Sequence, residues 1–406
     1  MRVCLVAPEL LPVPPIRGGA IEAWIDAVAP HLARRGVEVH IISVGDVGLS
    51  STSQTIGSGR VTSHYLDLPR ALSRFPLTAI ARGAVYFRRV GRLIERLQPD
   101  IVHHHNRPLG LLIAKNRYAH PCRHVLSIHN IDYGWCLSSR RIDRLFFAKG
   151  FARCDRILPV SDFLGSYLAR RVPSVDPQRM HTLHNGVDPQ VFSPNGAARH
   201  RESFGLSQGP LILFAGRIDP RKGVHVLLEV FRQVARELPA AQLVIVGPKG
   251  SYWHRRPMPY ARQIQEQADR MAGVQVLDPI YDRARLAQLY ASADVACLPF
   301  CSEEAFGLTT IELQACGVPV VTTTIGGGPE TVLDGHTGFL VAPHDAQAMA
   351  EKVLLLLRDQ PLREGMRREA RAFIEARFSW QALADRLLRQ YEAALASTPA
   401  APSHIS

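Results

Sequence analysis

The chain has 406 residues, 46% of them apolar, and a net charge of +12. That length suits two domains of ordinary size, each with a proper core, and excludes a disordered or fibrous chain. Seven cysteines, an odd number with no C-x-x-C pair, argue against a disulfide or zinc framework and for a reducing compartment.

The first residues, Met1-Arg2-Val3-Cys4-Leu5-Val6, read as a strand running into Pro8 rather than as a signal peptide. No apolar run reaches the roughly 18–20 residues of a membrane span, so the expected location is the cytoplasm. The charge is lopsided: residues 1–190 carry +11 and the remainder +1. Arg82, Arg88, Arg89, Arg92 and Arg96 crowd one predicted helix with Phe87 and Leu93 between them. Such a helix suits peripheral contact with an anionic membrane or simply a solvated face. No nucleic-acid-binding module accompanies the charge.

Strands and helices alternate from the start. Val3–Ala7 reads as a strand, 8–19 as a loop, Ala20–Arg35 as a helix ended by Gly36, and Val37–Val44 as a second strand. Residues 45–60 are rich in Gly, Ser and Thr and read as a mobile loop. The basic helix follows, then strand Ile101–His104, a helix near Leu109–Arg117, and strands Arg123–Ile128, Arg156–Val160 and Arg179–Leu183. The pattern breaks at His184-Asn185-Gly186-Val187-Asp188, where a domain linker is expected. It resumes with strands Leu211–Ala215, Leu243–Val246, Val274–Leu277, Val295–Leu298 and Phe339–Val341, interleaved with helices 224–237, 260–271 and 283–291. Long helices fill 346–357 and 362–396, and the tail from Ser397 is expected to be disordered. With no hairpin signals, both halves read as parallel, doubly wound sheets whose loops at the strands' carboxyl ends face a common cleft.

Four places carry chemistry. Pro299–Pro329 feeds a polar turn with Glu303 and Glu304 into a helix opened by Phe306-Gly307-Leu308, with Glu312 about two turns in. Small residues and Thr309-Thr310 at that helix start suit a phosphate, and the two glutamates could bracket a polyhydroxy ligand. In Gly216–Gly223, Arg217 and Lys222 flank a tight turn and can clamp a diphosphate with one planar and one point cation. Arg17-Gly18-Gly19-Ala20 lets backbone approach a ligand closely but is not G-x-G-x-x-G. His129, in His129-Asn130-Ile131-Asp132, ends a strand and suits a hydrogen bond to a sugar or a proton transfer. His103-His104-His105 looks like a metal cluster, but alternate strand positions face opposite ways. The chain has no D-x-D, so a diphosphate would be met by Arg217, Lys222 and a helix dipole without Mg²⁺; G-x-S-x-G and the P-loop are also missing.

Together these pieces resemble the family 4 retaining glycosyltransferases of GT-B fold. The likeness runs over nearly the whole chain: the Gly-Gly loop, the strand-end histidine, N-G-V-D followed by F-x-P, G-R…K-G, E-x7-E, and Phe378-Ser379-Trp380 before the last helix. The resemblance implies an α/β architecture of two Rossmann-like domains facing a central cleft. The first would span 1–190 and be completed by helix 380–396; the second, 191–379, would bind the nucleotide sugar, with 397–406 a tail. It implies that Arg217 and Lys222 neutralise the donor diphosphate and that Glu304 bonds hydroxyls of the transferred sugar. The backbone of Phe306, Gly307 and Leu308 would meet sugar and phosphate, and Glu312 the ribose. Gly18 and Gly19 would approach the phosphate from the first domain, and His129 the sugar. The retaining reaction is usually described as a front-face attack with the leaving phosphate as base, so Glu304 need not be a nucleophile.

The opening P-E-L-L-P-V-P-P-I-R-G-G-A-I-E is similar to a spore-coat-associated branch of that family. The branch includes enzymes that glycosylate 2-deoxystreptamine in aminoglycoside antibiotic biosynthesis. The implied donor is UDP-N-acetylglucosamine or UDP-glucose, with no cofactor and no metal. Glu9, Glu22, Asp26 and Asp132 are the carboxylates available for a cationic aminocyclitol. The +11 of the first half favours instead an anionic or lipid-linked acceptor at the membrane. A coat or scaffold protein that keeps the fold without activity is the alternative of another class.

Overall fold

A computed structural model describes residues 1–69, 79–131, 148–173, 175–194, 197–250 and 258–397. The chain divides into two compact units, Met1–Gly186 with Trp380–Ser406, and Val187–Ser379. It passes out of the first at 186/187 and returns at 379/380. The expected tail, from 398 onward, lies outside the described residues, as does Asp132.

In the first unit the elements are β1 (Arg2–Val6), α1 (Ala20–Ala33), β2 (Glu38–Val44), β3 (Thr52–Ile56), β4 (Gly59–Leu66), α2 (Ala79–Leu97), β5 (Ile101–His105), α3 (Pro108–Lys115), β6 (Arg123–Ile128), β7 (Arg156–Pro159) and α4 (Asp162–Arg171). The sheet order is β3-β4-β2-β1-β5-β6-β7. Every neighbour pair is parallel except β3–β4. On one face Trp24, Ile25, Val28 and Leu32 of α1 pack with Leu383, Leu387 and Tyr391 of the C-terminal helix. On the other, Tyr86, Phe87, Val90 and Ile94 of α2 are buried against Cys4, Val6, Ile42 and Val102. Most of the apolar stripe of the basic helix is therefore spent on the core, while Arg88, Arg92 and Arg96 are exposed.

Two expectations are corrected here. Residues 45–60 are not simply a loop: Thr52–Ile56 pairs antiparallel with β4 across the two-residue turn Gly57-Ser58, where Gly57 has φ 61°. The outer strand is exposed and polar, so it lacks the apolar alternation that would have marked it. Arg179–Leu183 forms no strand. Pro177–Arg179 is a 3-10 turn, after which the chain runs extended, His181 and Leu183 donating N–H bonds to Ile157 and Pro159 carbonyls.

The second unit holds α5 (Ala197–Ser203), β8 (Leu211–Ala215), α6 (Val224–Glu237), β9 (Gln242–Val246), α7 (Pro259–Asp269), β10 (Val274–Leu277), α8 (Arg283–Ala291), β11 (Val295–Leu298), α9 (Leu308–Ala315), β12 (Val320–Thr323), β13 (Gly338–Val341), α10 (Ala346–Arg358) and α11 (Gln360–Arg377). The C-terminal helix of the first unit, Trp380–Ala396, is α12. Six parallel strands run in the order β10-β9-β8-β11-β12-β13. Strands β8 and β11 are fully buried, and so read as unbroken apolar runs. From β8 the chain moves outward through β9 and from β11 through β12, so the sheet reverses direction between β8 and β11. In open α/β sheets ligands bind at that reversal, outside the strands' carboxyl ends.

Candidate functional site

Both loops at the reversal of the second unit carry the expected residues. After β8, Asp219 caps a short 3-10 turn (Pro220–Lys222), its carboxylate accepting from the N–H groups of Arg221 (3.0 Å) and Lys222 (3.3 Å). Arg217 Nε lies 2.8 Å from the other oxygen of Asp219. The turn ends at Gly223, φ 72°, where a Cβ would lie 1.8 Å from the Pro299 carbonyl oxygen. Only glycine fits there, and the close approach presses the turn onto the loop after β11. The Cys301 N–H seals the junction with a 2.9 Å bond to the Arg221 carbonyl.

That junction sets Lys222 against the β11 loop. Its ammonium makes an ion pair with Glu304 and lies 4.8 Å from the centre of the Phe300 ring. Both charged side chains keep about a quarter of their surface exposed, 22% and 25%, so each is open to exchange partners with a ligand. Behind them, Gly327 N–H donates to the Glu304 carbonyl at 2.8 Å. A Cβ on Gly326 would meet Glu304 backbone O and N at 2.4 and 2.5 Å. The glycine run 326–328 thus supports Glu304 from behind.

Helix α9 opens at Gly307, φ 92°, which brings no side chain to cap the first turn. Phe306 is buried, while Leu308 and Thr309 at the helix start are half-buried. An uncapped first turn that follows Glu304, the partner of Lys222, suits a phosphate. Glu312, in the second turn, sits 3.3 Å from Arg283 Nη2. Burial pushes its carboxyl up to about 7, against the downward pull of Arg283. Arg283 in turn stacks over Phe192, 5.0 Å from the ring centre. The structure places Arg217 and Lys222 in the loop after β8, Glu304 and Gly307 in the loop after β11 that packs against it, and Glu312 in helix α9. It adds Asp219, Arg283 and the glycine run, which sequence reading passed over. D-P at the head of a turn is a readable cap signal for Asp219; Arg283 has none.

In the first unit the reversal falls between β1 and β5. Gly18 and Gly19 follow β1 with φ 80° and 108°. A Cβ on Gly19 would strike Glu22 Oε2 at 2.1 Å. Glu22 is buried, and burial pushes its carboxyl up to about 7, with Arg107 pulling down. Glu9 is engaged by Arg107 at 2.8 Å, and its carbonyl accepts from Arg82 at 2.9 Å. Arg17 pairs with Asp46, and Asp26 is exposed on α1.

His129 lies beside β5. Its backbone N–H donates to Asn106 Oδ1 at 2.8 Å, and its Nε2 is 3.0 Å from His105 Nδ1. Burial lowers its ring to about 3, against a smaller upward pull from the Asn185 side chain. A neutral imidazole can hydrogen-bond a sugar, but at neutral pH it lacks the second ring proton that an imidazolium would give up. His103 and His105 stack at 4.4 Å on the face packed by Trp24, whereas His104 lies towards Phe87.

Comparison with known proteins adds the lineage. Residues 18–191 match the model described as Glycosyltransferase Family 4, and residues 197–373 the one described as Glycosyl transferases group 1. The chain is 29% identical to spore coat protein SA of Bacillus subtilis, covering 97% of this chain and 99% of that one. It is 31% identical to the D-inositol 3-phosphate glycosyltransferase of Mycolicibacterium paratuberculosis, covering 93% and 86%. Sucrose-phosphate synthase from Thermosynechococcus elongatus has the same fold, with a TM-score of 0.77 at 22% identity over 98% of this chain and 100% of that one. The Anabaena protein HepE, solved with UDP and glucose, gives 0.73 at 18% identity over 97% and 100%. Among the described residues, no helix is long and apolar enough to cross a membrane.

Proposed function

The chain belongs to the family 4 and group 1 glycosyltransferases of GT-B fold, and on that premise we propose that it moves a hexose from a UDP-sugar to a small cyclitol, with retention at the anomeric carbon. The observation that carries this is the Lys222–Glu304 pair at the sheet reversal, beside the uncapped start of α9. A donor diphosphate entering there takes Lys222 and Arg217 as its counter-charges, with the first-turn N–H groups of α9 as further donors. Lys222 then leaves Glu304, whose carboxylate is released to accept hydrogen bonds from the sugar hydroxyls. Glu312 accepts from the ribose. In this scheme the leaving phosphate takes the acceptor's proton, the new glycosidic bond forms on the face the phosphate departs from, and UDP leaves. Glu304 holds the sugar and does not attack it. The diphosphate meets side-chain cations rather than a metal.

The bound UDP and glucose in the HepE structure support UDP-glucose as donor, with UDP-N-acetylglucosamine the alternative. For the acceptor, the buried Glu22 carboxyl beneath Gly19 and the exposed Asp26 favour a cationic ring such as 2-deoxystreptamine, made into an aminoglycoside antibiotic in the cytoplasm. A second reading rests on Arg88, Arg92 and Arg96, which line one exposed face of α2 at four-residue spacing. That row fits peripheral contact with anionic lipid and a lipid-linked or cell-surface glycan acceptor.

Calorimetric titration of UDP tests the donor site. Lys222→Ala should weaken binding by on the order of tenfold or more, the worth of a hydrogen bond to a charged group; undiminished affinity would remove Lys222 from the site. Incubation with UDP-glucose or UDP-N-acetylglucosamine and 2-deoxystreptamine, inositol phosphate or a lipid-linked sugar then separates the acceptors. Transfer only to the lipid-linked sugar, lost when the three exposed arginines become Gln, would replace the aminocyclitol reading.

A further inference from the structure

Three metal-binding side chains from separate segments converge beside the Glu304 loop, and none has a role in the transfer chemistry. His225 is in the first turn of α6, Cys301 in the loop after β11, and His344 between β13 and α10, held in the left-handed region at φ 65°. One ligand atom from each lies within 4.8 Å of the other two. We propose that His225, Cys301 and His344 bind a zinc ion.

The donor set selects the metal. A thiolate with two imidazoles favours a borderline-soft ion such as zinc over magnesium or calcium. Zinc bonds of about 2.0–2.3 Å require the three atoms to close in slightly, and His344, exposed at the surface, has the freedom to do so. The other two are already placed. Cys301 is fixed by its N–H bond to the Arg221 carbonyl, and Gly223 leaves space where a Cβ would stand 2.9 Å from the sulfur. His225 Nδ1 lies 2.8 Å from the Tyr260 hydroxyl, which also accepts the His225 backbone N–H at 3.1 Å. That contact orients the ring and leaves Nε2 to coordinate, the usual arrangement behind a metal-bound histidine. On binding, the Cys301 proton passes to solvent and the fourth position is left for water.

The ion would tie the first turn of α6 to the loop that carries Glu304, a second fastening beside the Lys222–Glu304 pair. The site is independent of the donor and acceptor assigned above. It is tested on the full chain, stripped of metal by a chelator, by zinc calorimetry and by the visible spectrum after cobalt addition. One ion per chain is expected, with a thiolate-to-cobalt absorption band that Cys301→Ser abolishes. His344→Ala should weaken zinc at least tenfold without lowering the melting temperature of the metal-free protein, because the side chain is exposed. Tyr260→Phe should weaken it by about tenfold. A cobalt spectrum with no thiolate band, or equal zinc affinity in wild type, His344→Ala and Cys301→Ser, would overturn the proposal and place any bound ion among other histidines.

Discussion

Glu312 stands half-buried next to Arg283, its carboxyl held near 7 mainly by burial, and this gives the donor site a pH dependence. On the proposed assignment, ribose hydroxyls donating to Glu312 would favour its ionised form, so its value in the complex should fall below that of the free protein. Binding then releases a proton below about 7, and affinity for UDP-glucose should rise from pH 5.5 to 7.5 and level off above. Using UDP-glucose avoids the terminal phosphate of UDP, which titrates in the same range. Glu312→Gln should weaken binding at pH 7.5 by about tenfold, the worth of a charged hydrogen bond, and flatten the slope. Folding runs the other way. An acid raised from 4.5 to about 7 destabilises the native state progressively as pH rises through that window, at a cost of up to about 3 kcal/mol when complete. The glutamine variant should therefore melt no lower than wild type at pH 8, since Arg283 is half-exposed and tolerates the loss of its partner. An unchanged pH slope in the variant would mean that Glu312 serves only Arg283.

At the scale of elements, the support behind Glu304 comes from glycines rather than from charged groups. Gly326 has φ 69°, and its would-be Cβ meets the backbone of Glu304 at 2.4 Å. Backbone cannot swing aside as a side chain does, so Gly326→Ala must displace the loop, at about 1–3 kcal/mol for overpacking and roughly 1–2 more for the left-handed residue. Transfer should fall at least tenfold and the melting temperature should drop. Gly365, inside α11 with nothing near its Cβ position, is the counterpart, where Ala should stabilise by about 0.5–1 kcal/mol. Normal transfer by Gly326→Ala would show that the loop does not need this support. The same contrast explains what could be read from sequence. Buried parallel strands such as Leu211–Ala215 and Val295–Leu298 are unbroken apolar runs, and Arg217, Lys222, Gly307 and Glu312 sit at fixed offsets from them. Thr52–Ile56 escaped notice because an exposed edge strand needs no apolar pattern. Gly326, Arg283 and the trio His225, Cys301 and His344 act through contacts between distant segments, which spacing along one chain does not encode.

For the whole molecule, the two units differ in how the chain builds them. The second is one continuous segment, Val187–Ser379, while the first is completed by α12 after the second has been made. Helix α12 is no appendage. Leu383, Leu387 and Tyr391 are fully buried in the same core as Trp24 and Leu32, and Tyr391 Oη lies 2.7 Å from His103 Nδ1 beneath the sheet. Arg35 adds a 2.6 Å bond to Asp385. Emptying one buried leucine site costs about 2–5 kcal/mol, so losing three large side chains at once approaches or exceeds the roughly 5–15 kcal/mol that holds a domain folded. A chain ending at Ser379 should therefore lose the cooperative melting of the first unit and expose apolar surface, seen as dye binding and aggregation. Leu387→Ala, with the helix retained, should lower that transition by about 2–5 kcal/mol and leave the second unit's melting in place. Segment 187–379 expressed alone should still fold and bind UDP, because the turn of Lys222, the loop of Glu304 and the start of α9 all lie within it. If the chain ending at Ser379 melted in the same two transitions as the full protein, α12 would be a peripheral strap and the first unit's core would close without it.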